Sequence, residues 1–253
     1  MLAAAGNMRN DGVNSVGVDL SSVSSAGSAG GVSATMSGKV SSAGDASTGV
    51  KLVSDATSNA GAIDLFVGGP LAVSGVGAQA AMLRSTSRDG TAGNVAVTLG
   101  ADVLVLGEGA KGLVASTSGA VSAGSVVLAA AGDMRNDGVN SGGVDLSSVS
   151  SAGSAGAVGA SITGEVVSVG DASTGVKLVS DAASNAGAID LFVGGPLAVS
   201  GVGAQAAMLR STSRDGTAGN VAVTLGADVL VLGEGAKGLV ASTSGAVSAG
   251  SVV

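Results

Sequence analysis

Three acidic residues of this 253-residue chain recur at nearly constant intervals. Asp102 is followed 31 residues later by Asp133, which is followed 32 residues later by Glu165. If each interval is one coil of a stacked β-structure, neighbouring carboxylates lie about 5 Å apart. Carboxylates at that distance act as acid and nucleophile in retaining glycoside hydrolysis, and a row of carboxylate oxygens can bind Ca²⁺.

The same position carries other residue types in other coils, and the full series is Lys39, Pro70, Asp102, Asp133, Glu165, Pro196 and Asp228. The position is predicted to face solvent at a turn, and Arg135 is close enough to neutralise part of the charge. We therefore interpret the series as solvated surface charge. A cation site and a polysaccharide-acting site stay open as alternatives.

Two short segments are similar to known binding motifs. Residues 107–112 match the G-x-G-x-x-G pattern, which recurs at 233–238. A dinucleotide site also needs a helix after this pattern and an acidic residue about 20 positions further on. The segment Leu-Val-Ala-Ser-Thr-Ser that follows is typical of a strand, so the pattern predicts a turn. Residues 87–90, Ser-Arg-Asp-Gly, likewise predict a turn, since they lack the Arg-Gly-Asp order of integrin ligands.

The composition excludes several classes of site. The chain has no His and no Cys, so it offers no imidazole base, thiolate nucleophile, disulfide or Cys/His zinc centre. Its net charge is −7 and two Phe are its only aromatic residues, which argues against nucleic-acid binding. We therefore expect a non-enzymatic protein with no cofactor and no metal.

The elements that position these residues can be predicted from internal repeats in the sequence. Residues 2–127 and 128–253 are two copies of one unit, which agree at 115 positions and differ at 11. Met1 stands where Val127 stands one unit later, which predicts a segment cut from something longer. The opening residues lack the pattern of a signal peptide.

A shorter period divides each unit into four coils. The tetrapeptide Ala-Gly-x-Val/Ile recurs at alternating spacings of 31 and 32 residues. It begins at Ala29, Ala60, Ala92, Ala123, Ala155, Ala186, Ala218 and Ala249. About eight coils therefore fill the chain.

Each coil shows apolar residues at alternate positions. In the coil that starts at Ala92, Val95, Val97, Leu99 and Val103 stand at odd distances from that Ala. The alternation resumes in a third run, while the even positions are mixed. A period of two is typical of strands with one buried face.

The two units test this register independently. Eight of their 11 differences lie between Gly31 and Ala43, and seven of these fall on positions predicted to point outward. Only Met36, which becomes Ile162, is predicted to point inward, and it stays apolar. On the face predicted to point inward, the one substitution keeps an apolar residue, as close packing requires.

A single coil of three β runs cannot bury its apolar face, but stacked coils can. The sequence predicts an all-β fold, a right-handed parallel β-helix or β-solenoid of about eight coils of 31–32 residues. Residues 1–253 would form one continuous rod, roughly 38 Å long. The extra residue of the longer coils is expected after the third run. A transmembrane helix through residues 112–132 is disfavoured, since their alternation matches that of the neighbouring coils.

The segments 60–73 and 92–105, with Ala-Ser-Thr-Ser at 115–118, resemble filamentous-haemagglutinin-type exoproteins of the two-partner secretion family. This resemblance implies a β-helical rod that is secreted or on the cell surface. It also implies adhesion to glycans or proteins of host or neighbouring cells. The family's amino-terminal secretion domain is missing and Asn and Thr are scarce, so an internal repeat segment is expected.

The expected function is a non-catalytic structural or adhesive segment. The alternatives are a polysaccharide-acting enzyme that uses Asp102, Asp133 and Glu165, and a self-assembling sheath or matrix protein. Outward Phe66, Leu104 and Val127, with their copies, are predicted to form an apolar stripe for lateral contact. End-to-end association through open coil edges is also expected.

Overall fold

A computed structural model describes all residues from 1 to 253, and they form 24 strands and no helix. The strands make three parallel eight-stranded sheets, and each coil gives one strand to each sheet. The prediction of an all-β solenoid with about eight coils is confirmed. Within the segment 112–132, residues 112–119 and 126–130 lie in two strands joined by a turn. No helix of the structure has the length and apolarity needed to cross a membrane.

Sheet A holds the first strand of each coil. Its strands are β1 (Leu2–Ala4), β4 (Val32–Met36), β7 (Ile63–Val67), β10 (Val95–Leu99), β13 (Val126–Ala130), β16 (Val158–Ile162), β19 (Ile189–Val193) and β22 (Val221–Leu225).

Sheet B holds the short second strands. They are β2 (Met8–Asn10), β5 (Val40–Ser42), β8 (Leu71–Val73), β11 (Val103–Val105), β14 (Met134–Asn136), β17 (Val166–Ser168), β20 (Leu197–Val199) and β23 (Val229–Val231).

Sheet C holds the long third strands. They are β3 (Val16–Ser24), β6 (Thr48–Ala56), β9 (Gln79–Ser87), β12 (Lys111–Gly119), β15 (Gly142–Ser150), β18 (Thr174–Ala182), β21 (Gln205–Ser213) and β24 (Lys237–Gly245). We call the turns between sheets the A–B, B–C and C–A corners.

Every strand pairs with its equivalents one coil away. Val95, for example, is aligned with Ile63 on one side and with Val126 on the other. The inward positions form one cluster of 45 buried residues made mainly of Val, Leu and Ala. A shift by one residue would turn these side chains outward, so burial fixes the register.

The Ala-Gly-x-Val/Ile motif lies at the C–A corner, where a buried hydroxyl joins two coils. Ser85 donates to the carbonyl of Gly61 at 3.0 Å and accepts the N–H of Gly93 at 2.9 Å. A Cβ on Gly61 would overlap the backbone of Gly30. The motif therefore needs glycine for space and a hydroxyl to pair its backbone groups. The equivalent positions, here called the hydroxyl column, are Ser22, Ser54, Ser85, Thr117, Ser148, Ser180, Ser211 and Thr243.

The extra residue of the longer coils lies after the sheet C strand, as predicted. Ser87 ends β9, and its Oγ accepts the N–H of Gly90 at 3.0 Å. This bond closes the predicted turn at 87–90. Ser24, Ser150 and Ser213 make the same bond in the other longer coils, whereas the shorter coils carry Ala56, Gly119, Ala182 and Gly245 there.

The B–C corner has one left-handed residue per coil. Gly109 has φ of +63° and Ala46 has φ of +50°. Gly109 is the second glycine of the pattern at 107–112, and that pattern leads into β12 rather than into a helix. The turn prediction is therefore confirmed. The other left-handed residues are Asn14, Gly77, Asn140, Ala172, Gly203 and Gly235.

Candidate functional site

The A–B corner carries Asp102, Asp133 and Glu165 on successive coils. Asp102 Oδ1 accepts the backbone N–H of Asp133 at 3.0 Å, and Asp133 Oδ1 accepts the N–H of Glu165 at 3.0 Å. Both aspartate side chains therefore turn along the stacking direction toward the next coil. One oxygen of each carboxylate caps a backbone donor of that coil, which is a structural use of a carboxylate.

The rest of this column fits the same interpretation. Asn7 Oδ1 accepts the N–H of Lys39 at 2.9 Å. Lys39 and Glu165, whose side chains are too long for this cap, are each followed one coil later by a proline, Pro70 or Pro196. Proline has no N–H to be capped, so the two longer side chains leave no donor unpaired there.

Asn and Asp make the same coil-to-coil bond at the other corners. Asp45 Oδ1 accepts the N–H of Val76 at the B–C corner, at 2.9 Å. Asn94 Oδ1 accepts that of Ser125 at the C–A corner, also at 2.9 Å. Sequence reasoning missed these caps, although an Asn or Asp repeated at one turn position in several coils is their signal. Further examples are Asn59, Asp171, Asn185 and Asn220.

Arg135, which was predicted to lie beside this column, forms an ion pair outside it. Arg135 Nε lies 2.9 Å from Asp137 Oδ2, on its own side of the turn. Arg135 was expected to neutralise part of the charge of this column, but its ion pair is with Asp137, two residues further along the chain, and not with a carboxylate of the column. Arg9 and Asp11 repeat the pair, and this hydrogen bond raises the pKa of the Arg9 guanidinium. No three acidic residues lie close enough together to share a metal ion.

The predicted apolar stripe is divided between two sheets. Phe66 and Val127 are exposed on the outer face of sheet A, with β10 between their strands. Leu104 lies in β11 of sheet B and is half-buried. The prediction of one stripe through all three residues is therefore wrong, because the A–B corner turns Leu104 onto another face.

A shallow groove of 260 Å³ lies beside Phe192 on the outer face of sheet A. Its lining includes Val127, Ala222 and Gly159. The first unit has Ser33 where the second has Gly159, so this wall differs between the two copies. The groove is mainly apolar and holds one acidic residue, Asp190.

The outer face of sheet C carries ion pairs between successive strands. Asp19 pairs with Lys51 at 2.8 Å, because the parallel register aligns these two positions. More distant pairs join Asp55 to Arg84 at 3.7 Å and Asp181 to Arg210 at 3.8 Å. Exposed pairs of this kind contribute only about 0–1 kcal/mol each. These ion pairs therefore contribute little to the stability of the fold.

The junction between the two units has the densest charge cluster of this face. Asp145 Oδ2 lies 3.2 Å from Lys111 Nζ in the coil before it and 3.2 Å from Lys177 Nζ in the coil after it. The Asp145 side chain is only 15% exposed. Sequence reasoning missed this cluster, which the alternation of Asp and Lys at one repeat position, Asp19 then Lys51 and Asp145 then Lys177, could have revealed.

Comparison of the chain with known protein families, characterised proteins and solved structures found no match. The surfaces of the coils are therefore interpreted from their own residues. Those residues join coils to one another and do not converge on a deep cavity.

Proposed function

We propose that this chain is a non-catalytic repeat segment of a large secreted or cell-surface β-helical exoprotein, acting as a rigid rod or an adhesive surface. One observation carries the proposal: three parallel sheets run through all eight coils around one core cluster of 45 residues. Bending such a prism must stretch the hydrogen-bond ladder of one sheet while compressing another. Three ladders around one core therefore favour stiffness in every direction.

The polar groups of the corners support a structural role. The carboxylates of Asp102 and Asp133, with the side-chain amides of Asn59 and Asn94, accept backbone N–H groups of the next coil. These side chains reinforce the stack at its edges.

The location and the partners in this proposal rest on the sequence resemblance of segments 60–73 and 92–105. By that resemblance the chain contacts glycans or proteins on host or neighbouring cells. The near-identity of the two units, which agree at 115 positions, suits a spacer whose length changes by gain or loss of whole units. Each unit of four coils adds about 19 Å.

The rod proposal is tested by joining two, four and eight units in one chain. Small-angle X-ray scattering and electron microscopy should give a contour length that grows by about 19 Å per unit at constant cross-section. A length that stops growing, or particles that become round, would contradict it.

A separate assay tests the proposal that the chain is non-catalytic. Neutral and acidic polysaccharides are incubated with the chain and with a D102N/D133N variant. We expect no release of reducing ends from either protein. Release by the natural chain that the double variant lacks would show the enzyme instead.

A further inference from the structure

One edge of the solenoid carries an exposed apolar side chain in nearly every coil. At the B–C corner each coil has a glycine, and in seven of the eight coils one of the two residues beside it is Val or Leu. These side chains are 36–70% exposed, and a continuous exposed apolar row marks an interaction surface. We call them the B–C ridge: Val13, Val76, Leu106, Val139, Val169, Val202 and Leu232.

Carboxylates flank this ridge along its whole length. On the other side of the same glycine, six of the eight coils carry Asp or Glu. Asp11 and Asp137 are paired with arginines of their own coils. Glu108 and Glu234 take part in none of the ion pairs of the molecule. The ridge therefore combines apolar side chains with two free carboxylates that lie four coils apart.

The outer face of sheet C has a groove with complementary properties. Its volume is 560 Å³, and its lining includes Val179, Met208, Lys177 and Arg210. Val179 lies outside the core cluster and yet is only 7% exposed, as is its equivalent Val53 at 6%. The face is therefore hollow along its middle, with an apolar floor and basic groups beside it.

The charge of the molecule is divided between the two surfaces in the same sense. The strands of sheet C carry six basic and four acidic residues, a net charge of +2, whereas the rest of the chain carries five basic and fourteen acidic residues, a net charge of −9. The guanidinium groups of Arg84 and Arg210 lie 3.7 Å and 3.8 Å from an aspartate, beyond hydrogen-bond distance. Their N–H donors are free for a carboxylate of a partner.

We infer that copies of this chain pack side by side, with the B–C ridge of one copy in the sheet C groove of the next. The valines and leucines of the ridge cover Val179 and Met208, and Glu108 and Glu234 meet Arg84 and Arg210. Both the two glutamates and the two arginines are four coils apart, about 19 Å, so the two ion pairs form together. Each copy keeps one ridge or one groove free, so this heterologous contact builds layers of rods.

The contact extends the proposed rod function, because it recurs with every unit and uses neither end of the solenoid. Side-by-side packing widens the particle and leaves its length almost unchanged. The length gained per added unit therefore tests the rod by itself, and the width tests the contact between rods.

Sedimentation velocity and small-angle X-ray scattering at rising protein concentration test the association. We expect larger species whose cross-section grows while their length stays close to that of one copy. Monomers at every concentration, or growth in length alone, would overturn the side-by-side contact. The rod proposal would still stand if added units each lengthen the monomer by about 19 Å.

A substitution on the ridge tests which surface makes the contact. L106D should weaken association about tenfold, because a carboxylate would then have to leave water for the apolar floor of the groove. The matched control is V127D on the outer face of sheet A, since Leu106 and Val127 are 50% and 51% exposed. We expect V127D to associate like the natural chain. Equal effects of the two variants would show that the ridge is not the interface.

A charge exchange tests the pairing of the two surfaces. R84E/R210E and E108R/E234R should each associate about tenfold more weakly than the natural chain, since two attractive pairs become repulsive. An equimolar mixture of the two variants should regain association, because each ridge then meets a groove of opposite charge. A mixture that stays as weak as its components would contradict the assignment of ridge to groove.

Discussion

At the scale of single residues, side-chain hydrogen bonds join neighbouring coils at the corners, outside the apolar core. The hydroxyl column places one buried Ser or Thr between glycine backbone groups of neighbouring coils at the C–A corner. A buried N–H or C=O without a partner costs about 1–3 kcal/mol. The hydroxyl column therefore supplies hydrogen-bond partners to the backbone groups of the glycine motif at the C–A corner.

Replacing Ser85 with Ala removes both bonds of its hydroxyl. We expect S85A to lower the free energy of unfolding by about 1–3 kcal/mol, since Gly61 O and Gly93 N lose their partner inside the protein. Urea unfolding followed by circular dichroism measures the change. S85T is the control, because Thr243 makes both bonds at the equivalent position, donating to Gly219 O and accepting the N–H of Gly250. Equal destabilisation by both variants would contradict a role for the hydroxyl.

At the scale of the elements, glycine sets how closely coils can stack at the C–A corner. Gly61 begins the turn into β7, and every coil from Ala29 onward has glycine at this position. A Cβ at Gly61 would come within 2.5 Å of Gly30 O. The nearest atoms belong to the backbone of Gly30 and Gly31, and Gly30 O accepts the hydroxyl of Ser54, so the coil cannot give way as a flexible side chain would.

The substitution G61A should destabilise the chain by about 1–3 kcal/mol through overpacking. Thermal unfolding by calorimetry measures the loss. The matched control is G159S on the outer face of sheet A, where the nearest atom to a new Cβ is Asp190 O at 3.8 Å. The first unit carries Ser33 at that position, so we expect no change from G159S. A stable G61A would show that the coils can separate at this corner.

At the scale of the whole molecule, stability is a sum over coils and the contacts between them. Each inner coil is covered on both sides, whereas the two outer coils are covered on one side only. In such repeat proteins the share of exposed end coils falls as units are added. Cooperativity should therefore increase with length.

Chains of two, three and four units should melt at successively higher temperatures, with smaller steps as length grows. The first added unit should raise the melting temperature by several degrees, since all of its coils have neighbours on both sides and the share of end coils is largest in the shortest chain. Calorimetry at low protein concentration measures the midpoints without contribution from association between chains. A midpoint independent of unit number would indicate that each unit unfolds by itself.

The repeat and its period of two could be predicted from sequence because they are one-dimensional properties. Inward positions such as Val95, Val97 and Leu99 alternate along the chain, and the Ala-Gly motif marks each coil. Stacking follows, since a coil with one apolar face cannot bury that face alone. The three sheets, the coil number and the turn at 87–90 were therefore accessible.

The contacts of the surface side chains became known from the three-dimensional structure. Asp102 and Asp133 form the predicted column, yet their carboxylates cap backbone donors of the next coil. Leu104 has the outward position that was predicted, but a corner turns it away from Phe66. Which residues recur and which face inward could be predicted from the sequence, because burial follows a regular period. Side-chain direction and the angle between sheets depend on rotamers and turn geometry, which no period in the sequence encodes.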